Sequence, residues 1–155
     1  MSEAPHETLV RRLLDGDRAA LAKITDAVGR QVTMTFDQFG RTRTVTQADG
    51  RVDSTTYDLV NRVTRQSSRR GTDTTVVTTT YDNLLPVAVT DAFGQTYQFA
   101  YNALGWLTTR TAPTGLADQY AYSRDGDLVQ STNRRGQTLT FGYDLLHRPI
   151  SRTGS

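Results

Sequence analysis

Apolar and polar residues alternate in short runs along most of this chain. In RQVTMTF, Val32, Met34 and Phe36 point one way and Gln31, Thr33 and Thr35 the other. QTYQFAY places Tyr97, Phe99 and Tyr101 on one face; LADQYAY does the same with Tyr120 and Tyr122, and QTLTFGY with Leu139, Phe141 and Tyr143. A period of two with one apolar face predicts antiparallel strands covered on one side. The returning runs, such as RTRTVT and DLVQST, are more polar, so uneven burial is expected. Threonine is spread throughout, and its β-branched side chain suits a pleated surface.

The runs recur in register. An aromatic residue followed by a small polar one stands at Phe36-Asp37, Tyr57-Asp58, Tyr81-Asp82, Tyr101-Asn102, Tyr122-Ser123 and Tyr143-Asp144, at intervals of 21, 24, 20, 21 and 21 residues. A glycine follows thirteen or fourteen positions later at Gly50, Gly71, Gly94, Gly115 and Gly136, and Gly29 precedes Phe36 as Gly50 precedes Tyr57. Such self-similarity outranks any single motif in deciding a fold.

Each unit carries two turns of one chemistry. The first follows the aromatic as DQFG, DLVN, NALG, SRDG and DLLH; the second reads DAVG, QADG, SRRG, DAFG, APTG and NRRG. At the first turn position, Asp37, Asp58, Asn102 and Asp144 can accept from backbone N–H groups ahead of them, while the fourth position requires positive φ. Gly40, Gly105 and Gly126 supply that, and Asn61 and His147 are among the few other residue types that tolerate it. A type I turn closed by a left-handed residue is a common hairpin connection with a G1 bulge. Two four-residue turns joined by runs of seven and six residues account for the 21-residue period. The expected fold is all-β: an antiparallel meander of about six hairpins, an open sheet curved by its bulges.

Two places depart from the pattern. Leu85-Pro86 stands where other repeats have Gly-Arg, so the turn there must differ. GTDTTVVTTTY carries three extra residues, read as a bulge or a lengthened hairpin. The head is ambiguous: residues 5–23 suit either a helix, through Leu9, Val10, Leu13 and Leu14, or a worn seventh hairpin. The hairpin is favoured because ITDAVG matches VTDAFG. The domain plan is then a tail or degenerate strand over 1–13 and one β array over 14–155.

Composition changes this picture little. A chain of 155 residues is long enough for a core, but its 36% apolar content and mean hydropathy of −0.52 are low for one. The net charge of +2 demands neither nucleic acid nor an anionic membrane. The basic residues are almost all arginine, Lys23 being the only lysine, which fits either anion binding or codon bias. No cysteine is present, so thiolate metal sites are excluded. MSEAPHETLV lacks the basic and apolar regions of a secretory signal, and no apolar run nears the ~18 residues of a membrane span. Localisation stays open.

YDLVNR, YNALGW, YDLLHR and FDQFGR, with DAVGR and DAFGQ between them, resemble the tyrosine-aspartate (YD) repeats of the Rhs family. That family includes bacterial polymorphic toxins, shell subunits of insecticidal toxin complexes, and teneurins. The resemblance runs from about Asp15 to Arg152. It implies β-hairpins coiling into a spiral sheet, a hollow shell around a cargo domain, with export by a non-Sec route if this is part of a toxin. It also implies partners: further YD repeats, a second copy, or a cargo domain, through open sheet edges or the inner face. Family shells use many more repeats. Bacterial members commonly end in an aspartate-rich self-cleavage segment; here the chain stops at RPISRTGS inside a repeat, as a fragment or short orphan would. Autoproteolysis is carried over to no residue.

Catalysis has few parts to work with. His6 lies in the head and His147 holds a turn position, while Asp26, Asp37, Asp58, Asp82, Asp91 and Asp144 all begin turns and are accounted for by capping. DGDRAA and RDGD fall short of a calcium loop's ligand count. No enzyme activity, cofactor or metal is therefore expected. The rival function is a glycan-binding or adhesion module, with Tyr97, Phe99 and Trp106 as candidate ligand-binding residues. Against it, the aromatics sit at strict repeat positions, as a cross-strand ladder would. Arg69, Arg70, Arg134 and Arg135 are expected at turn tips as solvated charges. Trp106 opens a returning strand where other repeats place Arg or Asp, and the repeat leaves it unexplained.

Overall fold

A computed structural model describes residues 21–154, and these form strands and turns without a helix. Thirteen strands follow one another as a single antiparallel meander in which each pairs with its neighbours in sequence. The sheet does not close. The expectation for the head falls mostly on residues 1–20, outside the described residues.

The strands fall into two compact units, dividing after Thr78. The first contains β1 (Leu21–Thr25), β2 (Gln31–Phe36), β3 (Thr42–Thr46), β4 (Val52–Tyr57), β5 (Val63–Arg70) and the start of β6 (Asp73–Asp82). The second contains the rest of β6 and β7 (Leu85–Thr90), β8 (Thr96–Tyr101), β9 (Leu107–Thr111), β10 (Ala117–Tyr122), β11 (Leu128–Thr132), β12 (Thr138–Tyr143) and β13 (Pro149–Gly154).

Ten turns share one backbone pattern. In the turn from Asp37, the Asp37 N–H donates to the Arg41 carbonyl at 2.9 Å and the Gly40 N–H to the Asp37 carbonyl at 3.0 Å. The expected left-handed positions are left-handed, including Asn61 at φ 71° and His147 at φ 61°. The two kinds of turn differ one step further out. Beyond each turn that follows an aromatic, the register slips by one, as where Thr35 opposes Thr44 but Phe36 opposes Thr42. The same slip recurs at Tyr57, Tyr101, Tyr122 and Tyr143, leaving Arg43, Thr64, Thr108, Val129 and Ile150 unopposed. The second turns show no such slip. Each of these five aromatics therefore sits at a bulge, where local twist increases.

Both sequence departures resolve into two-residue connections. SRRG is not a four-residue turn: Arg69 and Arg70 belong to β5, opposite Thr74 and Asp73, and Gly71-Thr72 makes the connection. Gly71, at φ 60°, supplies the positive φ that a two-residue hairpin needs at its first position. The three extra residues thus lengthen the hairpin instead of bulging it. At the other departure Asn83, left-handed at φ 49°, takes that role before Leu84. Asp82 closes β6 instead of capping a longer turn, and its carboxylate accepts from the Asn83 side chain at 3.3 Å.

Burial is slight. Among the described residues only Ala22, Ala112 and Asp118 are buried, and no large side chain is fully enclosed. The expected apolar face exists in register: Met34 lies between Ala22 and Val45, and Tyr120 and Leu139 flank Ser131. Its aromatics, Tyr97, Phe99, Tyr101, Tyr120, Tyr122 and Tyr143, are only half-buried.

Candidate functional site: contacts between successive hairpins

The turn aspartates act as two-handed clasps. The Asp37 Oδ1 accepts from the N–H groups of Phe39 and Arg41 at 2.9 and 3.0 Å, and its Oδ2 accepts from Arg41 Nε at 2.7 Å. Asp26 with Arg30, Asp58 with Arg62 and Asp144 with Arg148 repeat the arrangement. For Asp26 the Arg30 side chain, and for Asp58 and Asp144 the backbone N–H of Arg62 and Arg148, lead in holding the carboxyl below its usual range. For Asp37, partial burial pulls upward, but the Arg41 bonds together prevail. Arginine four residues past the turn aspartate is therefore a recurring part of the turn. The signal was visible as DAVGR, DQFGR, DLVNR and DLLHR.

A second set of contacts joins one hairpin to the one before it. The hydroxyls of Tyr57, Tyr101, Tyr122 and Tyr143 donate to the carbonyls of Thr42, Pro86, Leu107 and Leu128, at 3.2, 2.9, 2.9 and 3.0 Å, always 15 residues earlier. Each acceptor lies at the start of a returning strand. Burial raises the Tyr101 phenol above its ordinary pKa, which keeps it a donor. Phe36 has the ring without the hydroxyl.

The residue that opens the returning strand reaches forward. Arg41 stacks its guanidinium 4.5 Å from the centre of the Tyr57 ring and donates through Nη1 to the Asp58 carbonyl at 3.0 Å and to Asn61 Oδ1 at 3.2 Å. Trp106 stands in the same place three repeats later: its ring lies 5.4 Å from that of Tyr122, and its edge would be 3.0 Å from a Cβ on Gly126. Leu85 approaches Gly105, where a Cβ would meet its Cδ1 at 3.7 Å, and Asp127 Oδ2 pairs with His147 Nδ1 at 2.8 Å. In all four the partner is the left-handed turn residue 20 positions on. Trp106, which the repeat pattern alone left unexplained, is one version of a recurring contact.

Asp118 is the functional-type residue that sequence reasoning passed over. It is buried, opposite Arg110 on β9. Its Oδ2 accepts from Arg110 Nη2 at 2.9 Å and Arg134 Nη2 at 3.1 Å, and its Oδ1 from the Arg134 N–H at 2.9 Å. The Arg134 side chain leads in lowering its pKa. Alternation with Tyr120 and Tyr122 was the available signal. Asp53 takes the same place three residues after Gly50, bonded by Ser68 Oγ at 2.7 Å and Arg51 Nε at 3.1 Å.

Of the three ligand candidates, Tyr97 opposes Val89 and Phe99 opposes Arg110 on the apolar face, while Trp106 is engaged with Tyr122. Among the described residues no three His, Asp or Glu side chains gather as a metal ion would require. These arrangements hold neighbouring hairpins in register.

Comparison with known proteins agrees with this architecture. The family model described as RHS Repeat matches residues 82–117 and 122–155. No curated protein matches the sequence. Among solved structures, TcdB2-TccC3 without its hypervariable C-terminal region is similar at 21% identity and a TM-score of 0.67, over 80% of this chain. TcdB2-TccC3 with Cdc42 is similar at 20% identity and a TM-score of 0.66, again over 80%. The chain spans about 7% of the length of those proteins, and the likeness is one of fold. The RHS Repeat model thus matches two stretches of the second unit, and the same turns, bulges and tyrosine contact recur in the first.

Proposed function

We propose that the chain is a structural segment of an Rhs-type shell that encapsulates or presents a toxin or other cargo domain, without catalysis of its own. The observation that carries this is where its interactions go. Among the described residues almost nothing is buried, while the hydroxyls of Tyr57, Tyr101, Tyr122 and Tyr143 each reach the hairpin before their own. A sheet built that way gains stability by extension, as repeat arrays do, and not from a core of its own. Large apolar side chains also stand exposed at the turns, among them Phe39 and Leu59 in the first unit and Leu104 and Leu145 in the second. The small share of the TcdB2-TccC3 chains matched is consistent with one piece of a larger wall.

Electron cryomicroscopy of the complete polypeptide that carries these repeats tests the proposal. The expected result is a continuous sheet enclosing density for a further domain. Repeats with both faces open to solvent and no enclosed density would overturn it. Glycan binding has no separate observation in its favour, since Trp106 is already packed on Tyr122.

A further inference from the structure

One cross-strand pair on the apolar face, just outside each second turn, is equivalent from repeat to repeat. Ile24 opposes Val32, Val45 opposes Asp53, Val89 opposes Tyr97, and Ser131 opposes Leu139. At the same place between β9 and β10, Arg110 opposes Asp118. Folding does not require charge there, since Ile24 with Val32 and Val89 with Tyr97 fill the position without any. Charges drawn out of water cost desolvation that pairing repays only in good geometry. A charged cluster where an apolar pair suffices points to a use beyond folding.

The cluster is also unbalanced. The Asp118 side chain is only 10% exposed, and its Oδ2 accepts from Nη2 of both Arg110 and Arg134, at 2.9 and 3.1 Å. One carboxylate thus serves two guanidiniums, and one positive charge is left over. Arg110 uses Nε and Nη2 on Asp118, and Arg134 uses Nη2. Each guanidinium, with five N–H donors, therefore keeps donors beyond those that Asp118 takes. Their side chains are 43% and 38% exposed, so solvent reaches both. Phe99 opposes Arg110 from β8, and Tyr97 and Tyr120 alternate onto the same face. Rings beside the guanidiniums displace water and strengthen any ionic contact made there.

We propose that Arg110 and Arg134 form a binding site for one oxyanion group, a carboxylate or a phosphate ester, that bridges the two guanidiniums. This goes beyond the shell-segment reading and stands without it. The planar fork of a guanidinium matches the paired oxygens of either group. Asp118 is the positioning residue: it holds both forks at one point and offsets part of their repulsion.

The test follows the arginine Nε–H signals of the full chain by proton–nitrogen NMR during titration with sodium acetate or sodium phosphate. Sodium chloride at matched ionic strength is the reference. The Arg110 and Arg134 signals are expected to move together and saturate in at least one of the two oxyanions, and to stay still in chloride. Saturation in acetate alone assigns a carboxylate, in phosphate alone a phosphate ester, and in both a general oxyanion site. Arg41 and Arg62, each clasped to its own aspartate, are expected not to move. Arg110→Gln leaves Arg134 in contact with Asp118 and is expected to weaken the binding read at Arg134 by roughly tenfold or more, the loss of a charged hydrogen-bond donor. Arg134→Gln, read at Arg110, gives the reciprocal comparison should the first variant fail to fold. Signals that drift alike in all three salts, or move no more than those of Arg41 and Arg62, would overturn the site. So would a folded single-arginine variant that binds as tightly as the parent.

Discussion

The tyrosine hydroxyl is the smallest part of this molecule that distinguishes a latch from a hydrophobic ladder. A ladder needs only rings, and Phe36 shows that a ring alone is compatible with the fold at one position. Tyr101→Phe keeps the ring and leaves the Pro86 carbonyl without its donor, so the variant should lose about 1 kcal/mol in denaturant unfolding. No loss would make the hydroxyls incidental. The left-handed glycines offer a sharper comparison. A Cβ at Gly40 meets nothing within 4 Å, whereas one at Gly126 meets the Trp106 ring at 3.0 Å. Gly40→Ala should therefore cost only the conformational strain of about 1–2 kcal/mol, and Gly126→Ala more. Trp106→Ala in the same chain should remove the excess. His147 carries a charge question. Its hydrogen bond to Asp127, then the carboxylate's charge, hold the imidazole above its usual pKa of about 6.5. A raised folded value means the pair's contribution is complete below that pH and is lost as pH rises through the folded value. An NMR titration should find His147 above the ordinary range and Asp127→Asn should bring it back; an unmoved titration would mean the pair does not persist in solution.

The hairpin is the scale at which the sequence was most readable, because turn chemistry is local. An acceptor at the first position and a left-handed residue at the fourth are written within four residues. Asn61 and His147 could be placed without any knowledge of their neighbours. Reading failed where pairing decides the outcome. SRRG has the composition of a turn, yet the register between β5 and β6 carries Arg69 and Arg70 into the strand and moves the connection to Gly71-Thr72. The clasping arginines were visible in DAVGR, DQFGR, DLVNR and DLLHR but were weighed as composition. Asp118 shared a face with Tyr120 and Tyr122 by simple alternation, but its partners come from other strands and turns. Asp118→Ala should leave Arg110 and Arg134 facing each other without their shared carboxylate, a loss of about 1–3 kcal/mol. Asp118→Asn should recover part of it by restoring an acceptor, and an Ala variant as stable as the parent would make the cluster decorative. Contacts at 15 and 20 residues follow from which strands lie side by side, and composition cannot show them.

At the scale of the whole molecule the governing fact is that stability runs along the sheet from strand to strand. Among the described residues buried side chains are nearly absent, and the repeated tyrosine bonds all point to a neighbour in the array. Such an array differs from a globular domain in having ends that open before its middle. Amide exchange of the chain measures this directly. In the second unit, protection should be greatest in β9 to β11, which have partners on both sides, and should fall through β12 to β13. Uniform protection that includes β13, with all strands opening together, would contradict the claim that these hairpins are held by their neighbours.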